Sequence, residues 1–101
     1  MSTVDGTWEV HAHGAGVDTT LRVVLEADGE EVSGEAIDGD HRIPITGGRL
    51  DGDRLTFAMT VSEPIRAKLT AKLDVDGDRM TGSARANLLL RVDLTARRVA
   101  P

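Results

Sequence analysis

The chain has 101 residues, a formal net charge of −5, no cysteine and two aromatic residues, Trp8 and Phe57. This length fits one domain with one modest core, and the acidic balance argues against a general phosphate-binding surface, which needs clustered Lys and Arg. The lack of cysteine excludes a disulfide framework, a thiolate zinc site and a thiol nucleophile.

Targeting signals are also missing from the sequence. The amino terminus, MSTVDGTW, has neither the basic start nor the apolar run of a secretory signal. No stretch approaches the ~20 apolar residues that a membrane-spanning helix needs. We therefore expect a single cytoplasmic domain over residues 1–101, with neither nucleic acid nor a membrane as its partner.

Apolar and polar residues alternate with a period of two along most of the chain, which predicts eight β-strands with one apolar face each. The first five apolar faces are Trp8-Val10-Ala12, Leu21-Val23-Leu25, Val32-Gly34-Ala36, Ile43-Ile45 and Leu55-Phe57-Met59-Val61. The last three belong to residues 65–73, 79–87 and 88–96. Helical spacing is scarce, so the fold class is all-β.

The separators between these strands are typical of hairpins. Asp28-Gly29, Asp51-Gly52 and Asp76-Gly77 each lie between two alternating runs, and glycine accepts the positive φ that a tight hairpin turn requires. Glu63-Pro64 and Asn87 are weaker turn candidates. Pro44 cannot donate a ladder hydrogen bond, so it indicates an edge, a bulge or a kink.

The same acidic repeats have a second interpretation, a calcium-binding loop. Asp74, Asp76 and Asp78 stand at alternate positions, as the first ligands of such a loop do. The sixth and twelfth positions, which call for Gly and Glu, hold Arg79 and Arg85 instead. Two cations would repel the metal, so the turn interpretation is favoured.

Consecutive hairpins form a meander, and eight strands with one apolar face each most simply close into an antiparallel up-and-down barrel without exposed edges. Many inward residues are small, among them Gly34 and Gly82. Two interpretations remain open: these residues enlarge a ligand cavity, or they let a filled barrel close tightly. A ligand in the cavity would contact Trp8, Val10, Leu21, Val23, Ala36, Ile45, Phe57, Met59, Ala67, Leu69, Ala71, Met80, Ala84, Leu90 and Val92.

One ionisable residue, Arg98, shares the inward parity. An unpaired buried guanidinium is costly, and the first and last strands of a closed meander are neighbours. We therefore expect Arg98 to lie over the Trp8 ring and to close the barrel; an anion-binding role is the alternative.

Other chemistry-bearing residues form no recognisable catalytic pattern. His11 and His13 share one strand face, but the opposite parity of Trp8 and Val10 directs both imidazoles to solvent, so no metal site is predicted. No nucleophile elbow or glycine-rich phosphate loop is present, so we expect no cofactor. If the protein is an enzyme, its catalytic groups come from loop residues such as Asp18, Asp38, Asp40 and His41.

Gly6-Thr7-Trp8, together with Arg98 on the last strand, resembles the barrel-closing Trp and Arg of the calycins, which include lipocalins and fatty-acid-binding proteins. Most of the chain is similar to a small bacterial β-barrel domain; the likeness runs through the segments GTW, LRVVL, DG, VSGEA, IPITGGRLDGDRLTF, KLTAKLDVDGDRMTGS and LTARRV. That domain accompanies some bacterial serine hydrolases and also occurs alone. The resemblance implies a calycin-like eight-stranded barrel and transfers no catalytic residue.

Three functions follow as hypotheses. The first is a barrel that binds a hydrophobic or amphipathic small molecule in its apolar interior. The second is a cyclase or isomerase that folds a polyketide- or terpenoid-like substrate by shape, with Asp18, His41 and Arg49 at the mouth. The third is a structural module with a filled core. An outward apolar stripe of Val24, Ile37, Leu89 and Val99 leaves a homodimer open.

Overall fold

The computed structural model describes residues 4–14, 16–61, 67–86 and 90–101, without the side chains of Val61 and Ala67. The described residues form nine strand segments. Their bounds are β1 (Gly6–Gly14), β2 (Val17–Asp28), β3 (Glu31–Asp38), β4 (His41–Pro44), β5 (Thr46–Asp51), β6 (Arg54–Val61), β7 (Ala67–Asp76), β8 (Arg79–Ala86) and β9 (Leu90–Ala100). The predicted turns at Glu63-Pro64 and Asn87, the start of the strand predicted from Ile65, and Leu89 lie outside the described residues.

The strands close into a ring in which every neighbour is antiparallel. β1 pairs with β2 on one side and with β9 on the other, and the remaining strands pair with their sequence neighbours. β4 and β5 both pair with β3 and together occupy one position in the ring, so the barrel has eight staves. This arrangement confirms the predicted closed meander.

The interruption between β4 and β5 follows from Pro44, as the missing N–H predicts. β4 ends at Pro44, and the Ile45 amide donates instead to the Gly34 carbonyl at 3.0 Å. Two residues later Gly47 has φ +60°, and the pairing of β5 with β6 changes register between Thr46 and Arg49. The stave therefore bends at this point.

Each acidic repeat forms a two-residue turn with glycine at its first central position. Gly29, Gly52 and Gly77 have φ values of +63°, +61° and +61°. The carbonyl of the next residue accepts a hydrogen bond of 2.7–2.8 Å from the following stave; these pairs are Glu30–Leu50, Asp53–Val75 and Asp78–Arg98. The turn interpretation is confirmed, and the acids are the exposed tips of hairpins.

The inner face of the barrel holds one hydrophobic cluster. Trp8 and Phe57 are both buried in it, together with aliphatic side chains from every stave. Along β7, for example, Ala71, Leu73 and Val75 are buried while the residues between them are exposed. For the side chains that the structure describes, the period of two therefore assigned the inner and outer faces correctly.

Two inward glycines do not enlarge the interior. A Cβ built on Gly34 would lie 1.8 Å from the Val24 carbonyl oxygen, and one on Gly82 would lie 1.9 Å from that of Lys72. At both positions the neighbouring strand crosses too closely for any side chain. At these two sites the structure supports the interpretation that small residues let the barrel close tightly.

Candidate functional site

The two ends of the barrel differ in how they are filled. The three acidic turns lie at one end with both chain termini, and we call this the closed end. The largest fully buried side chains, Val4, Trp8, Leu55 and Met80, all belong to this half of the barrel. The other end carries the Gly39-Asp40 turn and the connection between β1 and β2, and we call it the opposite end.

The segment before β1 crosses the closed end and is held by polar contacts. The Trp8 indole Nε1 donates to the Val4 carbonyl at 3.0 Å. One carboxylate oxygen of Asp5 accepts from the Ala27 amide of β2 at 2.8 Å. The segment is therefore fixed to two staves at once and covers the floor of the interior.

Arg98 joins this closure from the last strand. Trp8 and Arg98 are direct partners in the β1–β9 ladder, and the guanidinium carbon lies 4.7 Å from the centre of the Trp8 ring. Nη1 donates to the Asp5 carbonyl at 2.9 Å, and Nε lies 3.2 Å from the Asp78 carboxylate. Arg98 thus links the first strand, the last strand and the β7–β8 turn.

Replacing Arg98 with Gln is expected to destabilise the barrel by about 2–3 kcal/mol, because the charge-assisted bonds and the ring contact are lost from a partly buried site. Thermal unfolding followed by circular dichroism measures the effect. The matched control is Arg97→Gln, one residue earlier on the outer face, where an exposed ion pair with Glu9 contributes about 0.5 kcal/mol or less. Equal losses in the two variants would contradict a closing role for Arg98.

The residues predicted to line a cavity occupy the inner face. Nine are buried: Trp8, Val10, Val23, Ala36, Ile45, Phe57, Ala71, Met80 and Ala84. Five are half-buried: Leu21, Met59, Leu69, Leu90 and Val92. The side chain of Ala67 lies outside the description.

The half-buried members of this set lie toward the opposite end, where Ala36 is nevertheless completely buried. All five half-buried members belong to the half of the barrel near the opposite end, since they stand early in β2, β7 and β9 or late in β6. Met59 pairs with Leu69, Leu69 with Ala86 and Ala86 with Leu90, so these residues form one apolar row across four staves. Met59, Leu69 and Leu90 keep partial contact with solvent and form an apolar rim of the interior, whereas Ala86 is buried.

The predicted loop residues fall into separate places: Asp38, Asp40 and His41 lie at one turn, where Asp38 and His41 are ladder partners, and Asp18 lies in β2. His11 Nε2 lies 2.6 Å from the Asp18 carboxylate on the outer face. His41 is exposed beside the Gly39-Asp40 turn, whereas Arg49 pairs with Glu30 at the closed end, 3.2 Å away. Asp18, His41 and Arg49 therefore do not share one mouth.

The histidine pair lies where the parity predicted, on the outer face of β1. The rings of His11 and His13 are 5.4 Å apart and tilted by 41°. Across the described stretches of the chain, no three His, Asp or Glu side chains are arranged to hold a metal ion.

Three of the four residues of the predicted outer apolar stripe are described, and Leu89 is not. Val24 and Val99 are 36% and 39% exposed, and Ile37 is half-buried. Val99 is the extra residue of a bulge, because Thr7 pairs with Ala100 while Trp8 pairs with Arg98. Alternation alone contains no signal for this bulge.

Comparison with known proteins assigns the chain to no family. No protein-family model matches the sequence, and no curated protein matches it. Within residues 4–14, 16–61, 67–86 and 90–101, no helix is long and apolar enough to cross a membrane. The closed eight-stave barrel is compatible with the calycin-like fold that Gly6-Thr7-Trp8 and Arg98 suggest.

Proposed function

We propose that this barrel binds a hydrophobic or amphipathic small molecule, which enters at the opposite end and contacts the apolar inner wall. The observation that carries the proposal is the apolar rim, where Met59, Leu69 and Leu90 keep contact with solvent on the inner face. Half-buried apolar side chains at the mouth of a β-barrel are typical of small-molecule sites.

The polarity of the interior supports a hydrophobic ligand. Among the described residues no polar or charged side chain is buried. A ligand that carried a charge into this interior would lose its hydration without finding a partner, which costs several kcal/mol. An amphipathic ligand would therefore keep its polar group at the rim.

The geometry of the closed end supports entry from the other side. Trp8, Val4 and Arg98 occupy the floor, and the chain segment at Asp5 crosses it. A ligand entering there would have to displace the ring contact and the hydrogen bonds of Arg98. Entry at the opposite end displaces none of these contacts.

A pair of lysine substitutions on β7 tests the proposal. Titration with the fluorescent probe 1-anilinonaphthalene-8-sulfonate, followed by displacement with a long-chain fatty acid, measures affinity. Leu69→Lys places an ammonium group on the inner face, and we expect it to weaken binding by about tenfold or more, because the charge must be desolvated when the ligand is bound. Circular dichroism confirms that the variant is folded.

The matched control is Thr70→Lys, since Thr70 is the next residue and faces solvent. We expect affinity to change by less than about twofold, because an exposed lysine interacts weakly with a ligand inside the barrel. Equal weakening by both variants would place the probe on the outer surface. If neither the probe nor the fatty acid binds the unsubstituted protein saturably, the barrel is a filled scaffold and the proposal fails.

A further inference from the structure

The outer face of the β8–β9 ladder places arginines directly opposite one another. Arg79 pairs with Arg97, and six residues further along the ladder Arg85 pairs with Arg91. Like charges at opposed positions destabilise a sheet. Glu9 is the ion-pair partner of Arg97 and Asp93 that of Arg91, whereas Arg79 and Arg85 take part in no ion pair among the described residues.

The first of these pairs borders a groove on the outer wall. The groove has a volume of about 440 Å³ and follows β9 between β1 and β8. Thr81 and Thr95 are ladder partners next to the arginine pair, and both line the groove. The Arg79–Arg97 pair and the two threonines therefore line one groove, together with Arg98 and His11; the Arg85–Arg91 pair does not border it.

Two of the three arginines that line the groove form ion pairs within it. Glu9 and Asp78 line it as well, but Glu9 pairs with Arg97 at 3.3 Å and Asp78 with Arg98 at 3.2 Å. Within the described part of the chain Arg79 takes part in no ion pair. Arg79 is therefore the arginine of the groove without an ion pair; its exposed side chain stands at the edge of the groove, and its ladder partner on β7 is Asp76.

We propose that this groove is an oxyanion site that takes a phosphate or sulfate group on the outside of the barrel. The Arg79 guanidinium supplies the main charge-assisted hydrogen bonds, Arg97 supplies a second set, and the hydroxyls of Thr81 and Thr95 donate to the remaining oxygens. Donors spread over two strands of a groove suit a tetrahedral oxyanion, whose oxygens point in several directions, better than a planar carboxylate. The site is separate from the interior and does not depend on what the barrel contains.

Inorganic phosphate is the probe for this site. Backbone and arginine Nε signals of the ¹⁵N-labelled protein are followed by NMR during a phosphate titration at low ionic strength, where screening is weak. We expect saturable shifts at Arg79, Thr81, Thr95 and Arg97, with a dissociation constant on the order of 1–10 mM, typical of a few exposed charge-assisted hydrogen bonds.

Two variants and one control decide the outcome. Arg79→Gln is expected to weaken phosphate binding about tenfold, and Thr95→Val by about threefold, because each removes donors from the site. The control, Arg85→Gln, lies on the same strand and face outside the groove and should change affinity by less than about twofold, since it alters only distant, screened charge. Shifts that do not saturate, or equal weakening by Arg79→Gln and Arg85→Gln, would overturn the proposal.

Discussion

Replacing Trp8 with alanine is expected to destabilise the barrel by about 3–5 kcal/mol, the cost of removing a large aromatic side chain from a packed core. Trp8 is fully buried, its indole N–H bonds to the Val4 carbonyl, and Arg98 lies over its ring. The substitution therefore leaves a cavity, an unpaired carbonyl and a cation without its aromatic partner. In a domain of this size the unfolding temperature should fall by about 15–30 °C.

Urea unfolding followed by circular dichroism measures this loss, because the variant lacks the only tryptophan of the chain. Trp8→Phe narrows the comparison, since it keeps an aromatic ring in the core while it removes the hydrogen-bond donor and the smaller part of the ring volume. We expect a loss of about 1–2 kcal/mol for that variant. His13→Ala, at an exposed position of the same strand, should stay within about 0.5 kcal/mol. A Trp8→Ala protein within about 1 kcal/mol of the original would show that the closed end is not packed around this ring.

Gly82→Ala is the second substitution with a large expected effect. It should lower the free energy of unfolding by about 3 kcal/mol or more. The added methyl group would lie 1.9 Å from the Lys72 carbonyl oxygen and 2.7 Å from the Leu73 Cα. Both atoms belong to the backbone of β7, so no side-chain rotation can relieve the clash, and two paired strands must move apart. Overpacking that shifts a backbone is at the costly end of core substitutions.

Urea unfolding followed by Trp8 fluorescence checks this prediction. The control is Ser83→Ala, because Ser83 is the next residue on β8 and projects from the opposite face. We expect that change to stay within about 0.5 kcal/mol. A stable Gly82→Ala protein would mean that β7 and β8 can separate at this point without disturbing the ring.

The glycine positions also clarify the repeated acidic motif. Gly34 and Gly82 both follow the first Asp of their repeat by six residues, and both are sites of close strand approach. The corresponding residue of the middle repeat is Phe57, which is buried in the core. The repeats therefore share their turn but differ at the position six residues after the first Asp. The sequence shows this difference between Gly and Phe, and the clash distances explain why two of the three positions need glycine.

The bent stave illustrates a feature that the sequence predicted in part. Pro44 indicated an edge, a bulge or a kink, and the strand does end there. The continuation as β5, with its changed register around Gly47, was not predicted. A strand of six residues that contains two glycines has too few side chains to display alternation, so the pattern is lost although the backbone still pairs.

The candidate site could also be predicted only in part. The inner face could be assigned residue by residue, because alternation is a property of each strand alone. Which end is closed could not be assigned, since it depends on where Val4, Trp8 and Arg98 meet across the ring. The outer groove was not predicted at all, because Arg79 and Arg97 are 18 positions apart and only the register of β8 against β9 brings them together.

The sequence by itself therefore determined the strand faces, the three glycine turns and the closed meander, since each follows from local backbone geometry repeated along the chain. The tertiary structure decided which side chains become neighbours across the ladders, where strands approach too closely for a Cβ, and which end is filled. The physical reason is that cross-strand register arises from the packing of all eight staves around one core, and no short stretch of the chain contains that information.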